Sequence, residues 1–226
     1  MAEGAPDRAR FLSTAGKPLL EVRRLSRTTY SEAHALQEAL VAQRVAGSVS
    51  DQLLFTEHEP VITIGRGGDV MPDDVRGVPV VAVERGGEAT YHGPGQLVAY
   101  PIVLLEDERR DLHRYLRDLE EVVIRVLADV GVVGSRKPGL TGVWVEEKKI
   151  CSLGVAVRRW VAWHGFALNL RTDLAVFRSF RPCGLDPDVM TRLADHARIP
   201  DGTAFFEDSC VEHFCAVFGH ELVPRR

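Results

Sequence analysis

The sequence predicts an α+β fold, a mixed sheet flanked by helices, and three observations point to it. Strand-like runs outnumber helical ones. The helical stretches sit between clusters of strands without the strict alternation of βαβ units. Residues 142–170 hold three β-rich runs separated by turn-prone pieces, which reads as an antiparallel meander. With 226 residues, 45% hydrophobic and 27% charged, the chain is large enough to bury roughly 70–75% of its unfolded surface. That composition excludes disordered and collagen-like chains.

In chain order, Met1 to Lys17 has Gly, Ala and Pro with scattered charges (Glu3, Asp7, Arg8, Arg10) and no apolar h-region. It reads as a flexible tail rather than a secretory signal, leaving residues 18–226 as one domain. Pro18 to Leu25 has Leu20 and Val22 at strand spacing. Thr29 and Glu32 form a Thr-x-x-Glu capping box, and the helix it opens runs to about Ala46 with Ala33, Leu36, Leu40 and Arg44 on one face. Short strands follow at Gln52 to Thr56, Val61 to Ile64 and Pro79 to Val83. Leu97 to Leu105 is apolar enough for a buried strand, yet Pro101 argues for an edge or a bulge. Arg109 to Val130 is a strongly amphipathic helix, with Leu112, Leu116, Leu119, Val123, Val126 and Val130 on its apolar face. The meander comprises Gly142 to Val145, Ile150 to Val157 and Val161 to Leu170. A last helix, Ala204 to His220, aligns Val211, Phe214, Cys215 and Phe218.

Composition also limits function. No run of about 18 apolar residues exists to cross a membrane. The net charge of −4 does not favour nucleic acid. Four cysteines without an export signal (Cys151, Cys183, Cys210, Cys215) read as free thiols in a reducing compartment, consistent with a cytoplasmic protein. Of the 28 basic residues, only Lys17, Lys137, Lys148 and Lys149 are lysines, so few candidates exist for a titratable amine.

The densest special stretch is Arg85-Gly86-Gly87-Glu88-Ala89-Thr90-Tyr91-His92-Gly93-Pro94-Gly95-Gln96. Its glycines suit a loop whose backbone must approach a ligand closely, with Thr90, Tyr91 and His92 as side-chain donors, or simply serve turns between two strands. It is not a phosphate loop, because it lacks the Gly-Lys-Ser/Thr ending and opens no helix with Gly-x-Gly-x-x-Gly. Lys148 and Lys149 head a strand, so alternation sends one side chain outward and the other inward. An inward amine loses the solvation that favours its charged form and can serve as a base, whereas two solvated lysines at a turn would have no such role. Cys183, between Pro182 and Gly184 in a loop, is geometrically available. Cys215 lies on an apolar stripe and Cys151 alternates into a strand, so both read as packing. Cys210 with His213 lacks the second ligand pair that zinc needs. Glu57-His58-Glu59-Pro60 is not a zinc motif either, and His58 and His164 read most simply as satisfied structural histidines.

Taken in order, Arg85-Gly86-Gly87 through Thr90-Tyr91-His92-Gly93-Pro94-Gly95-Gln96, Lys149-Ile150 with Ser152-Leu153-Gly154, Gly165-Phe166-Ala167-Leu168-Asn169, and Pro182-Cys183-Gly184 resemble the octanoyltransferases of lipoate synthesis. The resemblance covers most of the chain, from Leu19 to the final helix. It implies a fold shared with biotin and lipoate protein ligase catalytic domains, so that residues 18–226 would be an acyltransferase catalytic domain. It further implies a cysteine–lysine dyad, with Cys183 as acyl-thioester nucleophile and Lys149, not Lys148, as its acid–base partner. Arg85, Gly86, Gly87, Glu88, Ala89, Thr90, Tyr91, His92, Ser152, Leu153, Gly154, Gly165, Phe166 and Ala167 would line the acyl site. No metal or cofactor is implied. The implied partners are octanoyl-acyl carrier protein and the apo lipoyl domains of 2-oxoacid dehydrogenase E2 subunits and the glycine cleavage H protein, with no nucleic acid and no membrane. Two departures stand out: Cys151 where a small residue such as Ala is common, and Arg192 in place of a usual Ser.

For such a reaction Phe166, Leu153 and Leu97 are candidate walls of an acyl slot, and eight buried carbons would contribute ~5–6 kcal/mol. Oxyanion donors could come from amides near His92-Gly93-Pro94-Gly95 or from the Pro182-Cys183-Gly184 turn. Arg158, Arg159, Arg178 and Arg181 are candidates for a basic patch facing acidic partners, or for an ordinary solvated arginine surface. Two alternatives remain on this reading: an ATP-dependent lipoate or biotin-type ligase, which needs no cysteine nucleophile, and a non-catalytic module that binds acylated or lipoylated proteins.

Overall fold

The computed structural model describes residues 11–69, 71, 73–180, 182 and 185–224. Strands β1 (Leu19–Arg24), β2 (Asp51–Thr56), β7 (Gln96–Leu104), β8 (Ser135–Lys137), β9 (Leu140–Val145), β10 (Lys148–Arg158), β11 (Val161–Asn169) and β12 (Glu221–Leu222) form one sheet, ordered β12-β1-β2-β7-β11-β10-β9-β8. Only the β12–β1 and β1–β2 pairs are parallel. A second sheet of β3 (Val61–Ile64), β4 (Asp74–Val75), β5 (Val78–Ala82) and β6 (Ala89–His92) runs β4-β5-β3-β6, with β3 and β5 parallel. Helices α1 (Tyr30–Val45), α2 (Leu112–Ala128) and α3 (Ala204–Phe218) flank the larger sheet. Mixed sheets with flanking helices are the predicted α+β class.

Strand alternation divides the apolar side chains between two layers. Leu53, Phe55, Leu97 and Ala99 face α2 and α3. Leu54, Val98, Tyr100 and Ile102 face α1. A third cluster joins Ile62, Ala89 and Tyr91 of the small sheet to Phe177, Phe180 and Met190.

The capping box forms as predicted: Glu32 N–H donates to Thr29 Oγ1 at 3.2 Å, and Thr29 N–H to Glu32 Oε2 at 2.9 Å. The helix faces are rotated relative to the sequence pattern. On α1, Tyr30, Ala33, Gln37, Leu40 and Val41 are buried, and Arg44 is held at the edge by Asp51 at 2.6 Å. Helix α2 begins at Leu112, not Arg109, because Asp111 caps it by accepting from His113 and Arg114 N–H. Its buried stripe runs through Tyr115, Leu119, Val122, Val123 and Val126, and Leu112 is exposed. Cys215 is only half-buried; Cys210 takes the buried place on α3.

Pro101 lies in a central strand, between β2 and β11, where an edge or a bulge was expected. The structural reason lies across the ladder. Pairing of β7 with β11 skips the residues between Ala99/Phe166 and Val103/Ala162 without changing register. There β11 bends, with His164 at φ +58° and Gly165 at φ +158°. A Cβ on Gly165 would collide with the Ala99 carbonyl oxygen and stand 2.6 Å from Pro101 Cδ. The His164 N–H turns away to donate to Gln37 Oε1 at 3.2 Å. The missing proline N–H and a bent partner strand thus accommodate each other.

Candidate active site

A pocket opens between the α1 face of the large sheet and β6. Its apolar walls are Val98, Leu153, Phe166 and Ala167, and its polar groups include Tyr30, Arg85, Thr90, His92, Tyr100, Ser152 and His164. Of the acyl-site residues expected from sequence, Arg85, Gly87, Thr90, His92, Ser152, Leu153, Gly154, Gly165, Phe166 and Ala167 converge here. Gly86, Glu88, Ala89 and Tyr91 lie beside it without lining it. Ala89 and Tyr91 point instead into the small-sheet core. Leu97 is not a wall, because alternation along β7 turns it towards α2 and α3 and presents Val98.

Glycine chemistry explains how the loop reaches the sheet. The Gly86 N–H donates to Val155 O at 2.9 Å, and a Cβ on Gly154 would stand 2.9 Å from Arg85 Cδ and 3.0 Å from Gly86 O. On its other side the loop packs against residues 65–68: Arg66 N–H donates to Arg85 O, and Gly67 N–H to Gly87 O, each at 3.0 Å. Buried Arg85 donates through Nη2 to Thr63 O and Oγ1 at 2.8 and 2.9 Å. The Thr90 hydroxyl is buried with no partner among the described residues, so it can turn to a ligand in the pocket.

A hydrogen-bond chain ties the end of β6 and the start of β7, where a loop was expected, to Lys149. Gln96 Nε2 donates to Tyr91 O and Asn169 Oδ1, leaving Oε1 to accept from His92 Nδ1 at 2.9 Å. The His92 Nε2 is then an acceptor, 3.3 Å from the Thr63 hydroxyl. Asn169 Nδ2 donates to Thr191 O, and Thr191 N–H to Lys149 O at 2.9 Å. His58, as expected, is a satisfied buried histidine, bonded to Thr28 O at 3.1 Å and to the Tyr100 hydroxyl at 2.7 Å. His164 differs from that expectation: it lines the pocket, and its enclosed Nε2 has no partner among the described residues. Burial, above all, pushes the pKa of His58 down to about 4 and those of His92 and His164 to about 3. Neutral imidazoles, apolar walls and a single Arg make a pocket for an apolar chain with a polar head.

The two lysines at the start of β10 part as alternation requires. Lys148 is exposed and donates to Asp188 O. Lys149 is 3% exposed, with Nζ 5.9 Å from the centre of the Trp144 ring. Cys183, Arg181 and Gly184 lie outside the described residues. The segment from residue 185 on is fastened beside Lys149, because Met190 bridges to Lys149 and Lys148 Nζ donates to Asp188 O. Arg178 lies on the surface, with Nε 3.1 Å from Asp188 Oδ1. Of the oxyanion candidates, Gly95 N–H donates to Glu57 Oε2 and Gln96 N–H to Gly93 O, while Pro94 has none. Arg158 and Arg159 sit at the far end of β10, about 30 Å of strand from Lys149. Cys151 is fully buried in the core, and Arg192 donates to Asp195 and to Thr172 O.

Tyr30, Val98, Tyr100 and His164 were not among the expected lining residues. Tyr30 and Tyr100 carry no local motif; a helix start and a central strand bring them in from elsewhere in the chain. Only the His164-Gly165 step, beside a recognised segment, held a local signal.

Residues 29–215 match the model of the lipoyl protein ligase A/B catalytic domain. The chain is 47% identical over 197 residues to an octanoyltransferase of Syntrophotalea carbinolica, covering 86% of this chain and 92% of that protein. It is 50% identical to the octanoyltransferase of Geobacter metallireducens, covering 76% and 81%, and 43% identical to that of Solibacter usitatus, covering 90% and 94%. Among solved structures, the bipartite lipoate protein ligase of Thermoplasma acidophilum, described with its E2 lipoyl domain, superposes with TM-score 0.74 at 18% identity, covering 92% and 86%. A biotin protein ligase from Aquifex aeolicus superposes with TM-score 0.52 at 13% identity, covering 88% and 69%; both likenesses bear on the fold. The chain therefore belongs to the octanoyltransferases, acyltransferases of the lipoyl protein ligase A/B catalytic-domain family.

Proposed function

We propose that this protein transfers an octanoyl group from octanoyl-acyl carrier protein to a lysine of apo lipoyl domains, those of 2-oxoacid dehydrogenase E2 subunits and the glycine cleavage H protein, through a thioester on Cys183. The observation that carries the reading is the placement of a buried amine, Lys149, on the same strand as Ser152, Leu153 and Gly154 of the apolar pocket. Fastening of the 185–191 loop to that end of β10 supports a Cys183–Lys149 dyad. The Cys183 sulfur attacks the thioester carbonyl; its bond to the acyl carbon forms as the carrier's sulfur leaves and takes up a proton. The acceptor lysine amine then attacks the acyl-enzyme, forming the amide, losing a proton and returning the Cys183 thiol. Lys149 as ammonium favours the thiolate, and as neutral amine accepts the proton of the incoming lysine. Thioester exchange is nearly isoenergetic and amide formation is downhill, so no ATP is required.

Intact-mass measurement after mixing with octanoyl-acyl carrier protein tests this. A gain of one octanoyl group that maps to Cys183 and is missing in Cys183→Ala is the expected result. Carrier binding without a mass gain would favour a binding module. Product from free octanoate and ATP that persists in Cys183→Ser would favour a ligase.

A further inference from the structure

On the α1 side of the pocket stand His34 of α1, Glu84 at the entry to the glycine-rich loop, and His164 at the bend of β11. One ligand atom from each lies within 4.8 Å of the other two. His34 Nε2 is 3.2 and 3.3 Å from the two Glu84 oxygens. Two ligands on a tetrahedral zinc ion stand about 3.3 Å apart when the metal bonds are about 2.0–2.1 Å. His34 and Glu84 already have that spacing, and His164 has to close by at most about 1.5 Å.

Two further observations point to a ligand. The His164 side chain is buried, and its Nε2 is enclosed with no hydrogen-bond partner among the described residues. On His34, the other ring nitrogen, Nδ1, faces Glu38 at 3.8 Å, beyond hydrogen-bond length; closing by about 0.8 Å would make it the carboxylate that usually orients a metal-binding histidine.

We propose that His34, Glu84 and His164 form a site for a divalent transition-metal ion of the zinc class, with a fourth position open to water. Two imidazoles select such ions over magnesium and calcium, which take oxygen ligands. Arg66, Arg158 and Glu38 share the groove beside Glu84, so the choice of ion rests on the two imidazoles. Because His164 and Arg85, next to Glu84, also line the acyl pocket, a bound ion fixes one wall of it.

The test uses the full chain, titrated calorimetrically with zinc chloride and, by absorption, with cobalt(II) chloride. The expected result is one equivalent bound, with cobalt bands of nitrogen and oxygen ligation and no thiolate charge-transfer band. His34→Ala and Glu84→Gln should each weaken binding at least tenfold, and Glu38→Gln roughly 10-fold or more. Both ligand side chains are partly exposed, at 23% and 33%, so these variants should fold, which the melting curve of the metal-free protein checks. In the wild type, the ring protons of His34 and His164 should shift together on adding zinc. Absence of a one-to-one isotherm, binding untouched by both ligand substitutions, or a thiolate-dominated cobalt spectrum would overturn the site.

Discussion

Gly142 makes the space that the Lys149 side chain occupies. A Cβ at residue 142 would stand 2.6 Å from Lys149 Cε and 2.8 Å from Cys151 O, and the glycine has φ +137°. Its N–H donates to Oε1 of Glu120 at 2.9 Å, a buried carboxylate whose Oε2 accepts from Arg117 and Arg136. Gly142→Ala should cost about 1–3 kcal/mol through backbone strain and overpacking. That lowers the melting temperature by about 2–4 °C per kcal/mol. Displacing the amine should also slow acyl transfer more than the unfolded fraction accounts for, measured at a temperature where the variant is folded. A stable, fully active variant would detach Gly142 from the function of Lys149.

Lys149 and Lys148 separate the proposed chemistry from mere basicity at one end of a strand. Lys149→Ala should lower both acyl-enzyme formation and transfer by about 10²–10⁴-fold, the usual worth of a general acid–base. Lys148→Ala removes an exposed residue that donates to Asp188 O and should change either rate only slightly. Single-turnover rates decide it, and equal losses in the two variants would mean that the wrong lysine has been assigned.

Periodicity and capping made most of the elements legible in the sequence: the Thr29–Glu32 box, the meander and all three predicted helices appear with shifts of a few residues, but Ala89–His92, read as part of a loop, is the buried strand β6. What escaped was set by long-range packing. The face of α1 is chosen by Gln37, whose side chain receives the His164 N–H from 127 residues away. Pro101 is central because β11 bends opposite it, a compensation that no window around the proline reveals. In the pocket, the segments from Arg85, Ser152 and Gly165 were recognisable because backbone contact demands glycine at Gly154 and Gly165. Tyr30 and Tyr100 reach the pocket through tertiary structure and carry no local signature.

Stability should fall steeply as pH drops from about 6.5 towards 4. His58, His92 and His164 have folded-state pKa values depressed to about 4, 3 and 3, below the usual value of about 6.5 in the unfolded chain. The unfolded state therefore binds more protons across this window, and stability is full above pH 6.5 and lost on acidification. Each histidine contributes a slope approaching about 1.4 kcal/mol per pH unit. Denaturant melts at several pH values, compared with His58→Gln, check this; a flat profile between pH 6.5 and 4.5 would refute neutral burial.

Gly165→Ala should be among the most damaging single-methyl additions in the protein. The new Cβ meets the Ala99 carbonyl, which is strand backbone and cannot swing aside, as well as Pro101 Cδ. A cost above about 3 kcal/mol is expected from overpacking combined with an unfavourable φ. Pro101→Ala relieves one of the two clashes, so the double variant should recover part of the loss. Thermal melts of the two single variants and the double measure the coupling, and simple additivity would argue against the direct contact.

Chain-length preference should follow the volume between Val98 and Ala167. These two residues pair across β7 and β11, and both line the pocket. Ala167→Val and Val98→Phe form a graded filling of the slot. Each methylene of the acyl chain that still fits contributes about 0.8 kcal/mol, close to fourfold in affinity. Excluding two carbons should therefore lower kcat/KM for octanoyl donors by roughly tenfold or more, while shorter acyl donors lose less. Overpacking alone lowers the activity towards every chain length by the same factor and raises the unfolded fraction. Comparing hexanoyl and octanoyl donors in both variants separates the effects: a ratio that moves towards hexanoyl with added bulk places the acyl tail against this pair, and an unchanged ratio places it elsewhere.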